Sequence, residues 1–152
     1  MANKLLSTTA TPSALVLRLA LGIVILAHGL QQTFGYLGGV GMARKIDYYY
    51  NSFGVPKFFG FLGVMIVSLG ALLLILGFWT RIMAFLIGSF LTTAMFLGGH
   101  IHNGIFMNWE GQRPGEGFEY HILGIGIALS LFILGGGLLS IDQWLTNKHP
   151  KS

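Results

Sequence analysis

Four long apolar segments constrain this 152-residue sequence more than any other feature. A helix needs about 20 apolar residues to cross the hydrocarbon core of a bilayer, and the segments cover residues 13–33, 56–78, 82–100 and 120–141. Only 9% of all residues are charged and 53% are hydrophobic, whereas a soluble domain carries roughly 25% charged residues. We therefore expect an integral membrane protein.

Inside lipid, backbone N–H and C=O groups must bond within their own segment, which favours helices. The segments also lack the alternation of polar and apolar residues that marks barrel strands. The predicted fold is all-α: a four-helix transmembrane bundle with up-down topology, in a single membrane domain over residues 1–152. Residues 42–53, in the first connection, form a candidate short interfacial helix. A secretory signal peptide is the alternative for the first segment, but Arg18 lies inside it and a clear cleavage site is lacking.

The distribution of positive charge predicts the orientation. Four spans place both termini on one side of the membrane, and that side has five basic residues against four on the other. Cytoplasmic segments collect Lys and Arg, so we expect cytoplasmic termini in the inner membrane. Membrane lipids are the predicted partners, with a respiratory or redox membrane complex or a homo-oligomer as further candidates. No block of basic residues indicates a nucleic-acid partner.

Polar residues from three segments converge on the extracytoplasmic end of this predicted bundle. Polar side chains at membrane depth usually face the bundle interior and find a partner there. The candidate ligand-binding residues are His28, Gln31, Gln32, His100, His102, Asn103, Glu119 and His121.

Helix geometry separates some of these candidates. His28, Gln31 and Gln32 have the spacing of residues on one helix face. His100 and His102 are two residues apart, about 200° on a regular helix, so only one of them should face the bundle. The pair Gly98–Gly99 favours a helix end just before them. The same spacing separates Glu119 from His121.

Several interpretations of this cluster stay open. The imidazoles and amides could simply hydrogen-bond across helices and close the bundle. They could instead bind the polar head of a lipophilic ligand such as a quinone, since they bond carbonyls and exchange protons. Axial haem ligation is a further alternative, through His28 with His100 or His121. A non-haem metal site fits poorly, because the spacing and the single nearby carboxylate do not match usual ligand sets; cysteine is absent altogether.

At the opposite end, Arg18 lies inside the first segment. It could extend its guanidinium to the interface or form a structural ion pair with Asp142. Glycines recur along the segments, for example Gly22 and Gly29, and small residues allow helices to approach closely in lipid.

Five stretches carry a family resemblance. They are "LRLALGIVILAHGLQQTFG" at 17–35, "LLLILGFWTRIMAFLIGSFL" at 72–91, "HIHNGIFMN" at 100–108, "GFEYHIL" at 117–123 and "GGGLLSIDQWL" at 135–145. In this order and spacing they resemble the DoxX family of small membrane proteins, over about residues 14–146.

The resemblance implies a four-helix membrane bundle with a redox association. The family name comes from a subunit associated with an archaeal terminal quinol oxidase, and related members are linked to thiosulfate:quinone oxidoreductase and to oxidative-stress complexes. By analogy, His28, Gln32, Asn103 and Glu119 fall where the family pattern tends to be polar. Many relatives carry a glutamate in the second span, where this chain has Ser68, which favours an accessory or structural role.

The resulting functional prediction is an accessory component of a quinone-linked membrane redox system. In it, His28 with His100 or His121 bonds a ligand head group, Gln32 and Asn103 orient it, and Glu119 relays protons. A non-enzymatic membrane subunit or assembly factor is the alternative, and a small b-type haem protein is the third.

Overall fold

The computed structural model describes residues 6–8 and 10–148. Within these ranges the regular structure is entirely helical, which confirms the predicted all-α class. The α-helices are α1 (Pro12–Phe34), α2 (Met42–Phe53), α3 (Lys57–Leu76), α4 (Thr80–Leu97), α5 (Glu119–Leu134) and α6 (Ile141–Lys148). Short 3₁₀ turns at Tyr36–Gly38 and His100–Asn103 follow α1 and α4.

Three of these helices, α1, α3 and α4, are long and apolar enough to cross a membrane. The predicted interfacial segment is indeed a helix, α2, and none of its residues is fully buried. Helices α1, α3, α4 and α5 contribute to one apolar core, which includes Ile25, Leu74, Ile87 and Leu131. A short turn over residues 77–79 joins α3 to α4; we call this side of the molecule the hairpin end and the opposite side the histidine end.

The predicted fourth span is wrong in its extent. The apolar run predicts one helix over 120–141, but α5 ends at Leu134, residues 135–140 are irregular, and α6 starts at Ile141. Gly135, Gly137 and Leu139 have φ values of 80°, 70° and 54°. Glycine adopts positive φ values without steric cost, and such values end a helix. The "GGG" run therefore terminates α5 inside an apolar stretch.

Arg18 stabilises this break. Its side chain is only 1% exposed, so the predicted extension to the interface is wrong. The guanidinium Nη2 donates to the carbonyls of Leu138 at 3.0 Å and Leu139 at 3.2 Å. The backbone N–H of Gly137 donates to Thr8 Oγ1 at 2.6 Å. Irregular backbone at membrane depth is tolerated when protein groups satisfy it in this way.

Asp142 is equally buried but binds the start of α4. Its two carboxylate oxygens accept the backbone N–H groups of Trp79 and Thr80, both at 2.8 Å, where a negative charge favours a helix N-terminus. The predicted Arg18–Asp142 ion pair is not formed as a direct contact, because the only ion pair within residues 6–8 and 10–148 joins Lys57 to Asp47. Both charges instead bind backbone at the hairpin end.

Helices α1 and α3 meet most closely at Gly29. A Cβ atom there would lie 2.6 Å from Ser68 Cα, so the two backbones are nearly in contact. Residues Ile66–Gly70 of α3 form a π-helical turn. In it, Ser68 Oγ donates to the Val64 carbonyl at 2.6 Å, the acceptor that the Ser68 N–H would use in an α-helix. This contact fixes the position of His28, the residue before Gly29.

We predict that Gly29→Ala lowers the thermal unfolding midpoint in detergent, by an effect of about 1–3 kcal/mol, as for other overpacked sites. The added methyl group has only backbone to displace. Gly126→Ala is the control, because a Cβ at Gly126 meets nothing within 4 Å. Equal midpoints for the two variants would contradict the close approach.

We also predict that Arg18→Met reduces the yield and the unfolding midpoint of purified protein. The substitution leaves the Leu138 and Leu139 carbonyls without this donor, and an unsatisfied buried polar group typically costs about 1–3 kcal/mol. Arg44→Met, at an exposed position on α2, should leave both quantities unchanged. A wild-type midpoint for Arg18→Met would show that the break at 135–140 is held by other groups.

Candidate functional site

A cavity of about 820 Å³ lies toward the histidine end, between α1, α2, α3, α4 and the start of α5. Its polar lining includes His28, Gln32, His100 and His121, from three different parts of the chain. The deeper wall is apolar and is formed by Ile25, Ile66, Val67, Leu86, Phe90 and Leu91. The cavity thus combines a polar end with a hydrocarbon-like interior, in the size range of about 300–1,000 Å³ typical of small-molecule sites.

The early end of α4 brings His100 into this cavity. The helix stops at Leu97, and Gly99 adopts a φ of 72° before the turn His100–Asn103. His100 lines the cavity, whereas His102 is exposed outside it. This divergence follows from the i, i+2 spacing, as the sequence indicated.

The imidazoles of His100 and His121 lie side by side, with ring centroids 4.6 Å apart. His100 Nδ1 is 3.0 Å from the Glu116 carbonyl oxygen. A carbonyl only accepts, so this bond requires a protonated Nδ1, and Nε2 is an acceptor when the ring is neutral. His121 is 7% exposed, and its Nδ1 is buried without a hydrogen-bond partner among the described residues.

The ring of Tyr120 lies near two of the cavity's histidines. Its ring lies 6.3 Å from that of His28 and 5.7 Å from that of His121. The hydroxyl of Tyr120 is also buried and has no hydrogen-bond partner in the described part of the chain. A buried polar atom without a partner is costly and uncommon in native proteins, so this corner can still take up hydrogen bonds.

Helix α2 covers the cavity and contributes Lys45 and Tyr49 to its wall. Tyr49 Oη donates to Gln32 Oε1 at 3.0 Å, which joins α2 to α1. Burial, with a smaller effect of Tyr48, raises the pKa of Tyr49 to about 12. Tyr49 therefore remains a neutral donor at physiological pH, and the Gln32 amide nitrogen, which has no acceptor within residues 6–8 and 10–148, can donate to a ligand.

The other predicted site residues lie elsewhere. Gln31 Nε2 donates to the Leu37 carbonyl at 3.0 Å. Gln31 lines a smaller, adjoining cavity of about 220 Å³. Asn103 Nδ2 donates to the Glu116 carbonyl at 3.1 Å, so it holds the following loop. Glu119 is in the first turn of α5 but does not line the main cavity, since it is two residues from His121. Its charge instead suits the helix N-terminus.

The cavity also has a side that faces the expected lipid. The half of α3 from Lys57 to Met65 makes few contacts with α4, whereas the half after the π-helical turn packs along it. Phe90 of α4 reaches across to this half of α3. A Cβ atom added to Gly63 would lie 3.2 Å from the Phe90 ring. One aromatic side chain thus bridges the two diverging helices next to the cavity.

Lys45, Tyr49, Tyr120 and Phe90 were not among the predicted site residues. The spacing of Lys45 and Tyr49, i and i+4 on a short amphipathic helix, was the available signal for the first two. Tyr120 and Phe90 look like ordinary membrane-helix aromatics in the sequence, and only their positions in the fold distinguish them.

The geometry bears differently on the metal and haem interpretations. Within residues 6–8 and 10–148 no three His, Cys, Asp or Glu residues are grouped to hold a metal ion. The rings of His100 and His121 are too close to ligate opposite faces of one haem, since two metal–nitrogen bonds of about 2 Å would separate the ring centroids by roughly 6 Å. The predicted haem ligands, however, were His28 with His100 or His121, and that pairing stays a prediction.

A comparison with protein-family models matches the DoxX family over residues 13–100. The chain belongs to the DoxX family. The match covers more than half of the chain, including His28, Gln32, Ser68 and His100, but not Tyr120 or His121. No curated protein and no solved structure matches the chain. Membership in the DoxX family and the apolar helices identify an integral membrane protein.

We predict that Tyr49 loses its proton at a higher pH than an ordinary tyrosine does. The difference in phenolate absorbance between wild type and Tyr49→Phe should contain one tyrosine with a pKa near 12. Because the folded pKa exceeds the ordinary value of about 10, stability should be unaffected below pH 10. It should fall between pH 10 and 12 in wild type relative to Tyr49→Phe.

The matched control is Tyr50→Phe, which removes a 51% exposed tyrosine from the same helix. That variant should keep the late phenolate signal and its pH-dependent loss of stability. A difference between wild type and Tyr49→Phe that lacks this late tyrosine would show that Tyr49 is not the buried donor to Gln32.

Proposed function

We propose that this DoxX protein is an accessory component of a quinone-linked membrane redox system and that its main cavity binds the head of a lipophilic quinone. The chain then acts as a single membrane domain. In this proposal α5 is the fourth helix of a transmembrane bundle in the inner membrane, with cytoplasmic termini. The cavity consequently opens in the extracytoplasmic half of the bilayer.

The main support is a pair of buried polar atoms at the cavity's polar end, Tyr120 Oη and His121 Nδ1, for which the described part of the chain offers no hydrogen-bond partner. A tyrosine hydroxyl donates to a quinone carbonyl, and the second carbonyl can accept from an imidazole or from the free Gln32 amide. The apolar wall suits the isoprenoid tail. In this proposal the tail enters from lipid between the diverging halves of α3 and α4, next to Phe90, without passage through water.

The imidazoles supply the proton chemistry. Reduction of a quinone to a quinol takes up two electrons and two protons. The electrons come from a partner redox protein in this proposal, and the imidazoles of His28 and His100, which line the cavity, can pass protons to the quinone oxygens. Glu119 has no part in this step, because its side chain does not line the cavity.

A second candidate function is a non-enzymatic subunit or assembly factor. Two observations favour it. Ser68 bonds its own helix at 2.6 Å, so the second span offers a hydroxyl and no carboxylate for chemistry at that position. In addition, Trp109 is 85% exposed on a loop that is braced by Glu116, which accepts the Asn108 N–H at 2.6 Å. This loop presents an aromatic contact for a partner protein.

The test is quinone binding by protein purified in mild detergent. We expect endogenous quinone to co-purify, and a short-tailed ubiquinone analogue to bind about tenfold more weakly to His121→Ala and to His28→Ala. Tenfold corresponds to about 1.4 kcal/mol, the net contribution of one hydrogen bond. His102→Ala is the matched control, because His102 is exposed and outside the cavity.

Three outcomes would count against the proposal: no retained quinone together with no binding of the analogue, equal losses in His102→Ala and His121→Ala, or wild-type affinity in both cavity variants. A stable complex with a redox protein that survives His121→Ala but is lost in Trp109→Ala would favour the second candidate.

A further inference from the structure

One charged group at the main cavity has no role in the proposed quinone contacts. Lys45 of α2 lines both the main and the smaller cavity. Its ammonium lies 4.9 Å from the ring centroids of both Tyr48 and Tyr49. Within the described residues it has no hydrogen-bond acceptor and no carboxylate within 4 Å. The cation is therefore held by aromatic faces alone.

The nearby acidic side chains are engaged elsewhere. Asp47 on the same helix forms an ion pair with Lys57 at 2.7 Å. Glu116 belongs to the cavity lining, but its carboxylate Oε2 accepts the Asn108 N–H at 2.6 Å and is thereby directed into its own loop. The positive charge of Lys45 is thus not neutralised by a neighbouring carboxylate.

The remaining polar lining is neutral or a hydrogen-bond donor. The free Gln32 amide donates, Tyr120 offers a hydroxyl, and the histidines add polar ring nitrogens. Burial also lowers the pKa of Lys45, which is the direction expected for an ammonium that has lost part of its water without gaining a counter-ion. Such a group gains most from an anion that enters the cavity.

We propose that Lys45 makes this cavity selective for single-tailed lipophiles with an anionic head, such as long-chain carboxylates, over neutral lipophiles with the same tail. The proposal rests on the lipophile-binding part of the proposed function and is independent of its redox part. The same contact favours a reduced quinone in its deprotonated form, because a quinolate carries the same anionic oxygen.

The cavity volume suits a single-tailed ligand. The 820 Å³ lies in the range of about 300–1,000 Å³ typical of sites for one small molecule, and one alkyl chain can lie along the apolar wall.

The experiment compares two fluorescent probes that differ only in head charge: dansylundecanoate and its methyl ester. The full chain is placed in nanodiscs of zwitterionic lipid at neutral pH. We expect the carboxylate to bind about tenfold more tightly than the ester, a preference in the range of one hydrogen bond to a charged group. Lys45→Gln should abolish the preference and Lys45→Arg should retain it.

Arg44→Gln is the matched control, since it removes a positive charge from the neighbouring, exposed position outside the cavity. It should retain the preference. Equal affinities of wild type for the two probes would overturn the proposal, as would a preference that survives Lys45→Gln. Loss of the preference in Arg44→Gln as well would also overturn it, because attraction to the helix surface would then explain the result.

The short-tailed ubiquinone analogue separates this proposal from the proposed function. Binding of the carboxylate with the expected dependence on Lys45, but no binding of the quinone, contradicts the quinone function and supports the anion subsite. Quinone binding that depends on His121, with no preference between the two probes, supports the quinone function and overturns the anion subsite.

Discussion

A helix protein in lipid has to satisfy its polar groups with its own atoms, because hydrocarbon supplies no hydrogen bonds. The rest of this structure depends on how that constraint is met at residues 135–140. The chain is not helical there, and the buried Arg18 donates hydrogen bonds to two carbonyls of this segment, those of Leu138 and Leu139. Asp142 then binds the start of α4 through two backbone N–H groups. The hairpin end is a junction of four chain segments held by two buried charges.

The histidine end meets the same constraint differently. There Gly29 brings α1 against the π-helical turn of α3, while the first half of α3 separates from α4. This divergence creates the cavity. The hydroxyl of Tyr120 and Nδ1 of His121 have no partner among the described residues, and the ammonium of Lys45 faces only aromatic rings there. Buried atoms without a partner among the described residues also occur at Arg18 and Thr80, but those residues do not line this cavity. We interpret the grouping of such atoms around the cavity as the reason for a ligand.

Hydropathy was sufficient to predict the helical class and three spans, because the length of an apolar run is a direct consequence of bilayer thickness. It failed at residues 120–141, where an apolar run continues through a turn. The information there lay in the glycines at 135–137, which hydropathy counts as nearly neutral, and in the distant Arg18, whose partners are backbone carbonyls. A sequence shows which side chains are charged, but it does not show which backbone carbonyls will accept hydrogen bonds from them.

For the site, side-chain spacing correctly separated His100 from His102 and Glu119 from His121, since these are local consequences of helical rotation. The contributions of Lys45 and Tyr49 depend instead on how α2 folds back over α1 and α3. Gln31 and Asn103 show a different limit of sequence reasoning. Both are polar residues at the expected depth, but nearby backbone carbonyls accept their amide N–H groups, which no pattern in the sequence indicates.

The most direct test of the cavity as a lipophile site is photoaffinity labelling of the protein in native membranes with an azidoquinone, followed by peptide mapping. The account predicts adducts concentrated on the cavity walls, on the peptides that contain His28, Phe90 and Tyr120. An excess of unlabelled quinone should suppress these adducts. Adducts spread over the lipid-exposed side chains Phe85, Leu129 and Ile133, with no protection by unlabelled quinone, would contradict it.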